Sequence, residues 1–151
     1  MPEQLESILL VEDNPDDVAL TLRAFKRNNI ANPVVVARDG IEAIDFLFAR
    51  AFFADRAGLP LPKLVLLDLK LPRLDGFGVL KAMRSDPRTR LIPVLMLTSS
   101  MLEQDVELSY VLGANSYLVK PIDFTEFTEM ARVVALYWLA MNQSPPLGGP
   151  A

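Results

Sequence analysis

Short apolar runs alternate along the chain with segments in which apolar residues recur every three or four positions. Such runs predict β-strands, and the longer periodic segments predict amphipathic helices. The run Lys63–Leu67 contains no turn former and is rich in Leu and Val, which is typical of a strand buried on both faces of a parallel sheet. The strands predicted in this way are residues 7–11, 34–36, 63–67, 94–97 and 117–119.

Capping residues and turn formers mark the ends of the intervening helices. Asn14, Asp39, Asp75 and Asp123 are expected to cap helices, because their side chains accept hydrogen bonds from free backbone N–H groups. The first helix is predicted over residues 15–28, and the second starts at residue 40 and continues through Phe52–Phe53. The third runs from residue 76 to a break at Asp86–Pro87, the fourth covers residues 101–112, and the fifth runs from 124 to about 142. Gly113 is expected to end the fourth helix in a left-handed conformation.

Alternation of strands and helices with short connections predicts an α/β domain over residues 1–142. Because βα crossovers are right-handed, we expect a five-stranded parallel sheet with helices on both faces. Residues 143–151 are rich in Pro and Gly and are expected to form a flexible C-terminal tail.

Helical spacing predicts which side chains face the core. In the first helix these are Val18, Leu22 and Phe25, and in the last they are Phe127, Ala131, Val134, Trp138 and Met141. The stretch 133–141 carries no charge, so Val133, Tyr137 and Ala140 would expose a second apolar face. We expect that face, with the fourth helix and fifth strand, to form a twofold homodimer interface, the alternative being a helix covered by the chain's own tail.

Polar side chains follow the predicted strands at their carboxyl ends. Glu12 and Asp13 come after the first strand, Asp68 after the third, Thr98 after the fourth and Lys120 after the fifth. In open parallel sheets these ends form the crevice in which ligands bind. We therefore expect the five side chains to meet at one rim.

Composition narrows the chemistry available to this rim. The 151 residues include no Cys and no His, which excludes disulfides, thiolate and imidazole metal ligands, and cysteine or histidine nucleophiles. A formal net charge of −4 disfavours binding to nucleic acid. The N-terminus lacks the features of a signal peptide, and no apolar run approaches the roughly 20 residues of a membrane span. A soluble, cytoplasmic protein with neither nucleic acid nor membrane as partner is expected.

An all-oxygen acidic site of this kind suits Mg²⁺, which prefers carboxylates, water and phosphate oxygens. With the cation bound, the Asp68 carboxylate can attack an electrophilic phosphorus and form an acyl phosphate. Lys120 and the Thr98 hydroxyl would then hold the phosphoryl oxygens. Asp75 is explained as a helix cap and is left out of the site.

Five motifs together resemble the receiver domain of two-component response regulators over roughly residues 7–141: Glu12-Asp13, Asp68 in Leu-Asp-Leu-Lys-Leu-Pro, Asp75-Gly76, Thr98-Ser99 and Lys120-Pro121. The resemblance implies a flavodoxin-like sheet with the strand order 2-1-3-4-5. It also implies phosphoryl transfer from a sensor histidine kinase and slow self-catalysed hydrolysis, without turnover of a substrate.

The resemblance assigns roles to individual residues. It makes Asp68 the phosphoacceptor, and it implies Mg²⁺ held by Asp13, Asp68 and the backbone carbonyl of Lys70 with Glu12 assisting. Thr98 and Tyr117 would form the switch, Tyr117 turning inward as Thr98 moves toward the phosphoryl group. The Lys120–Pro121 bond can be cis or trans.

A narrower resemblance concerns Val11–Asp17, Arg38–Gly40, the long second-helix region and Tyr137–Trp138. These segments are similar to small stand-alone receivers paired with bacterial phytochrome kinases, which implies a bacteriophytochrome as the kinase. A single domain without an output domain is expected, so the expected output is dimerisation, docking to a partner or onward relay of the phosphoryl group.

Two other function classes stay open on the residues alone. A phosphohydrolase with an Asp nucleophile also places Asp at a strand end, but its Asp-x-Asp pattern needs an acid where Lys70 stands. A receiver-like adaptor that is never phosphorylated is the second. An NTPase is disfavoured, because no Gly-rich loop precedes a Lys followed by Ser or Thr.

Overall fold

One parallel sheet holds all five predicted strands in the computed structural model, which describes residues 5–146. The strands are β1 (Ile8–Val11), β2 (Val34–Ala37), β3 (Leu64–Leu67), β4 (Val94–Thr98) and β5 (Ser116–Val119). Their order is β2-β1-β3-β4-β5, and each neighbouring pair is parallel. The predicted flavodoxin-like fold and strand order are confirmed.

Five α-helices connect the strands and cover both faces of the sheet. They are α1 (Pro15–Arg27), α2 (Gly40–Leu47), α3 (Gly76–Arg84), α4 (Glu103–Val111) and α5 (Phe124–Val134). On one face α1 packs against α5, and on the other α2 packs against α3. A 3₁₀ helix (Ala51–Arg56) follows α2, and a π-helix (Ala135–Met141) continues α5.

Alternation of side chains along the strands divides the core into two clusters. Leu9, Val65 and Met96 belong to the cluster beneath α2 and α3, whereas Leu10 and Leu66 belong to the cluster beneath α1 and α5. Every residue of β1, β3 and β4 is buried. Burial of β3 on both faces is thus confirmed, and this central strand delivers Asp68 to the rim.

Side-chain caps start the helices at the predicted positions. Asn14 Oδ1 accepts a hydrogen bond from the backbone N–H of Asp16 at 2.9 Å, and Pro15 occupies the first helical position. Asp39 and Asp75 cap α2 and α3 through the backbone N–H three residues on, and Asp123 caps α5 through the N–H two residues on. The predicted role of Asp75 as a helix cap is confirmed.

The second helix is shorter than predicted. α2 ends at Leu47, and its predicted continuation through Phe52–Phe53 is wrong, since these residues lie in the separate 3₁₀ helix. The break falls at Ala49 and Ala51, whose φ angles of 53° and 50° are left-handed and cannot continue a right-handed helix. Apolar periodicity runs across this break without a Gly or Pro to reveal it.

In α1 the predicted inward position of Leu22 is wrong, because its side chain is 37% exposed. Thr21 is buried in its place, beside Val18 and Phe25, which face the core as predicted. The Thr21 hydroxyl donates to the Asp17 carbonyl oxygen at 2.8 Å, so its polar atom is satisfied within the helix. A polar residue could therefore occupy a core position that hydropathy assigned to Leu22.

The fourth helix begins at Glu103, two residues later than predicted, and packs lightly. The Ser100 hydroxyl accepts the backbone N–H of Leu102 at 3.3 Å, which keeps this residue outside the helix. Ser109 is the one buried residue of α4. Gly113 follows with φ of +106°, a left-handed conformation that suits glycine, as predicted.

The predicted last helix divides into α5 and the π-helix. Phe127, Ala131 and Val134 are buried, and Trp138 packs partly buried against the same cluster. Met141, predicted to face the core, is 67% exposed, because the wider hydrogen-bond step of a π-helix rotates residues beyond Val134 away from the 3.6-residue phase. The Lys63 ammonium donates to the Leu139 carbonyl oxygen at 3.1 Å and ties this segment to the start of β3.

The Lys120–Pro121 bond, the C-terminal tail and the absence of a membrane span were also addressed from the sequence. All peptide bonds in residues 5–146 are trans, Lys120–Pro121 included. Of the expected tail 143–151, residues 147–151 lie outside the described residues. Across the described part of the chain, no helix combines the length and apolarity needed to traverse a bilayer.

Phe127→Ala is expected to lower the free energy of unfolding by about 3–5 kcal/mol, because Phe127 is only 1% exposed and its loss leaves a cavity. Phe52→Ala is the matched control, since Phe52 is 89% exposed and its truncation should change stability by less than about 0.5 kcal/mol. Urea unfolding followed by circular dichroism measures both. Equal losses in the two variants would contradict the core described above.

Candidate functional site

Backbone hydrogen bonds align the strand ends that carry the predicted site residues. The N–H of Asp68 donates to the Val11 carbonyl oxygen at 3.1 Å, and the N–H of Lys120 donates to the Thr98 carbonyl oxygen at 2.8 Å. The residues that leave β1, β3, β4 and β5 therefore emerge at the same edge of the sheet. The predicted rim exists, and it lies at the carboxyl ends of the strands.

Three carboxylates converge at this rim. Glu12, Asp13 and Asp68 each present an oxygen atom, and these atoms lie within 4.8 Å of one another. Glu12 and Asp68 are buried, whereas Asp13 is exposed. Two of the three carboxylates are therefore inside the protein and the third faces solvent, which gives a hydrated cation access to the cluster.

Lys120 joins the carboxylates from the end of β5. Its Nζ atom lies 3.0 Å from Asp68 Oδ2 and also contacts Glu12 Oε1. A third contact, of 3.0 Å, reaches Asp17 Oδ2 in the first turn of α1. The Lys120 side chain is 9% exposed, so its ammonium is held among the carboxylates rather than solvated.

Burial makes these charges costly and shifts their pKa values. Desolvation raises the pKa of Glu12 from 4.5 to about 7; the hydrogen bond from Lys120 opposes this rise, and the negative charge of Asp68 adds to it. Desolvation lowers the pKa of Lys120, but its bonds to Glu12, Asp17 and Asp68 outweigh that effect and keep the pKa above its usual value. Lys120 therefore stays charged, and the excess negative charge around it favours a cation.

Local backbone contacts fix the direction of the Asp68 side chain. Its Oδ1 atom accepts the backbone N–H of Leu69 at 2.7 Å, while Oδ2 faces Lys120. Gly76 approaches the same strand end closely, because a Cβ atom at this position would lie 2.2 Å from the Asp68 carbonyl oxygen. The N–H of Gly76 donates to the Leu69 carbonyl oxygen at 2.8 Å, so the start of α3 supports the loop that carries Asp68.

Thr98 and Tyr117 are linked through Ser100. Thr98 is buried at the end of β4, and its hydroxyl accepts the backbone N–H of Ser100 at 3.3 Å. The Tyr117 hydroxyl donates to the Ser100 carbonyl oxygen at 2.9 Å, and burial raises its pKa above the usual value. Ser100 Oγ donates to Asp105 Oδ2 at 2.6 Å, which extends the chain of contacts into α4.

The structure brings together most of the predicted site and adds residues that the sequence did not indicate. Lys70 is exposed in the loop two residues beyond Asp68, and the role of its carbonyl stays a prediction. Asp17, an acid in the first turn of α1 that favours the start of this helix, also contacts Lys120 directly. The bond between Ser100 and Asp105 of α4 was not predicted either, since no sequence pattern indicated a contact between this loop serine and a helical carboxylate.

Comparison with known proteins identifies this arrangement. Residues 8–132 match the family described as response regulator receiver domain. The chain belongs to the response regulator receiver family. Members of this family act in general as signalling modules of two-component systems rather than as turnover enzymes, and the receiver domain predicted from the motifs is confirmed.

Two relatives of this receiver cover nearly its whole length. The probable methanogenesis regulatory protein FilR2 of Methanothrix harundinacea is 40% identical over 144 residues, which are 95% of this chain and 88% of FilR2. Response regulator Rcp1 of Synechocystis sp. is 37% identical over 132 residues, which are 87% of this chain and 88% of Rcp1.

Solved structures of phytochrome response regulators are also similar to this receiver. The phosphorylated cyanobacterial phytochrome response regulator RcpA superposes with a TM-score of 0.86 at 34% identity, covering 94% of this receiver and 99% of RcpA. The Mn²⁺-bound form of Rcp1 superposes with a TM-score of 0.84 at 35% identity, covering 93% and 99% of the two chains. The predicted resemblance of this receiver to stand-alone phytochrome response regulators is confirmed.

Gly76→Ala is expected to lower the free energy of unfolding by about 1–3 kcal/mol, because the new methyl group meets the backbone of Asp68 and Leu69, which cannot rotate away. Gly78→Ala in the same helix is the control: its methyl group crowds only the flexible end of the Leu74 side chain and makes an ordinary contact with Asp75 Oδ1, and alanine favours the helix. Thermal and urea unfolding measure both variants. A larger loss for Gly78→Ala would show that the contact at Gly76 is unimportant.

Proposed function

We propose that this receiver is a single-domain response regulator, spanning residues 1–142, that accepts a phosphoryl group on Asp68 in the presence of Mg²⁺. The observation that supports this most directly is the convergence of three carboxylates within 4.8 Å, with the Lys120 ammonium 3.0 Å from Asp68. The phosphoryl group changes a protein-interaction surface, since the function of such a module lies in contacts rather than in turnover. The sequence-based expectation of a cytoplasmic location is retained as part of this proposal.

The donor set fits Mg²⁺. Glu12, Asp13 and Asp68 supply only oxygen atoms, the ligands that this cation prefers, and the open side of the cluster leaves room for water and phosphate oxygens. Burial of Glu12 raises its pKa to about 7, a cost that a neighbouring cation relieves. We assign Asp13, Asp68 and the Lys70 carbonyl as ligands with Glu12 assisting; the cation, when bound, neutralises charge on the transferring phosphoryl group.

In the transfer step an oxygen of the Asp68 carboxylate attacks the phosphorus of a phosphohistidine. The new P–O bond forms as the P–N bond breaks, and the imidazole leaves with the bonding electron pair. Lys120 pairs with the negatively charged phosphoryl oxygens, and the Thr98 hydroxyl donates to another. Later attack by water on phosphorus returns the Asp68 carboxylate and releases inorganic phosphate.

Thr98 and Tyr117 supply the switch in this proposal. When Thr98 turns toward the phosphoryl group, its hydroxyl leaves the backbone N–H of Ser100, which lies 3.3 Å away. Ser100 is bonded to the Tyr117 hydroxyl and to Asp105 of α4, so the movement changes β5 and α4 together. A bias of a few kcal/mol is enough to shift such a two-state equilibrium.

We propose a sensor histidine kinase as the phosphoryl donor, and a bacteriophytochrome as the specific kinase. The support is the similarity to phytochrome response regulators Rcp1 and RcpA over more than 85% of this chain. Nucleic acid is not proposed as a partner, because the formal net charge of −4 repels phosphate backbones.

The proposed output surface is a homodimer interface formed by the last helical region with α4 and β5. Val133 and Tyr137 are 50% and 47% exposed, and Ala140 is also exposed. Val111 of α4 and Val119 of β5 add apolar area at 73% and 40% exposure. These exposed apolar side chains support the proposal, because apolar surface patches are typical of protein–protein interfaces.

Incubation with acetyl phosphate and Mg²⁺ is expected to add one labile phosphoryl group, detected by intact-mass spectrometry. Asp68→Asn should abolish the adduct, and removal of Mg²⁺ with EDTA should lower the rate at least tenfold. Asp75→Asn is the matched control, because it replaces an aspartate that caps α3 with another good capping residue and should be phosphorylated normally.

Other outcomes would replace the proposal with one of its alternatives. Continuous release of phosphate from phosphate esters by the wild type, without a stable adduct, would indicate a phosphohydrolase. Absence of any adduct with acetyl phosphate and with phosphorylated kinase would indicate a receiver-like adaptor that works without phosphorylation.

Tyr137→Glu is expected to shift the protein from dimer to monomer in analytical ultracentrifugation, raising the dissociation constant at least tenfold, because an unpaired carboxylate in an apolar interface is strongly unfavourable. Leu22→Glu is the control, since Leu22 is an exposed apolar residue on a different helix. A wild-type protein that stays monomeric at its highest soluble concentration, with and without phosphorylation, would refute the dimer.

A further inference from the structure

Asp17 is the third carboxylate bonded to Lys120, and it stands apart from the other two. Glu12 and Asp68 belong to the carboxylate cluster proposed to hold the cation, whereas Asp17 comes from the first turn of α1. Its Oδ2 atom lies 3.0 Å from Lys120 Nζ, the same distance as Asp68 Oδ2. The ammonium is therefore shared by Glu12, by Asp68 as the proposed phosphoacceptor, and by Asp17, a carboxylate with no other role in the reaction.

The position of Asp17 suits contact with an incoming phosphodonor. Its side chain is 33% exposed, against 3% for Glu12 and 10% for Asp68, so it lies on the solvent side of Lys120. Its backbone is fixed, because its N–H faces Asn14 Oδ1 at 3.4 Å and its carbonyl oxygen accepts the Thr21 hydroxyl at 2.8 Å. The cap of α1 thus places this carboxylate beside Lys120 independently of the cation site.

We propose that Asp17 is a positioning residue that holds part of the Lys120 ammonium away from Asp68 and so limits how readily anionic phosphodonors react. Four carboxylates surround the ammonium and the proposed divalent cation, which leaves one negative charge uncompensated. Removal of the charge on Asp17 leaves none, and Lys120 is then held by Glu12, Asp68 and the phosphoryl oxygens alone. This inference rests on the proposed phosphorylation of Asp68.

The first arm of the test needs neither cation nor phosphorylation. In metal-free protein, the Lys120 amine is acetylated with acetic anhydride at fixed pH, and its rate is read from peptide masses relative to the exposed Lys81. Loss of one partly exposed ion pair in Asp17→Asn is expected to raise the Lys120 rate about two- to fivefold. Asp17→Glu, which keeps the carboxylate, should return the rate toward that of the wild type.

The second arm measures phosphorylation by acetyl phosphate at saturating Mg²⁺. Asp17→Asn is expected to lower the half-saturating concentration of acetyl phosphate about two- to fivefold, because this anion meets one negative charge less. Asp16→Asn is the matched control in both arms: it removes an equal charge from the same turn of α1, but Asp16 is exposed and lies outside the contacts of Lys120.

The two arms separate this inference from the proposed function. If Asp16→Asn reproduces the effects of Asp17→Asn, or if Asp17→Asn leaves both the acetylation rate and the half-saturating concentration unchanged, the positioning role is refuted. If no protein variant is phosphorylated but Asp17→Asn still speeds acetylation, phosphoryl transfer fails and the hold of Asp17 on Lys120 stands. Unfolding curves check that both variants are folded: each loses one first-turn carboxylate, and Asp17→Asn also loses the ion pair to Lys120.

Discussion

The ion pairs made by Lys120 join the ends of the chain's central elements into one site. Its ammonium contacts carboxylates that leave β1 and β3 and one that belongs to α1, while its own backbone is bonded to β4. A buried ammonium is tolerated only when oppositely charged groups surround it, and buried carboxylates have the same requirement. Each charge therefore keeps the others in place, and the surplus of negative charge defines the affinity of the rim for a cation.

The sheet and the contents of its rim could be predicted because they depend on local signals. Buried strands appear as apolar runs, and caps such as Asn14 and Asp75 appear as side chains of a defined type at a defined place. Parallel strands bring their carboxyl ends to one edge whatever the details of packing, so Glu12, Asp68 and Lys120 had to lie at the same edge once the strands were known. Once the strands were predicted, their parallel arrangement was sufficient to predict the edge at which the site lies.

The errors arose where hydropathy does not decide the backbone path. Ala49 and Ala51 take left-handed angles in a stretch whose apolar spacing continues, and Met141 leaves the core because the helix widens beyond Val134. No residue type in the sequence marks either the left-handed angles or the start of the π-helix. The contact of Asp17 with Lys120 was missed for a related reason, since a carboxylate in a first helical turn already has a sufficient explanation in the helix dipole.

The light packing of α4 has a consequence for local stability. Ser109 is its one buried residue, so displacement of this helix removes little apolar area from the core. Elements with few buried contacts open and reclose far more often than the sheet beneath them, which makes their backbone amides exchange hydrogen faster. If Asp68 is phosphorylated as proposed, α4 can move without disturbing the central strands, because its displacement removes little buried apolar area.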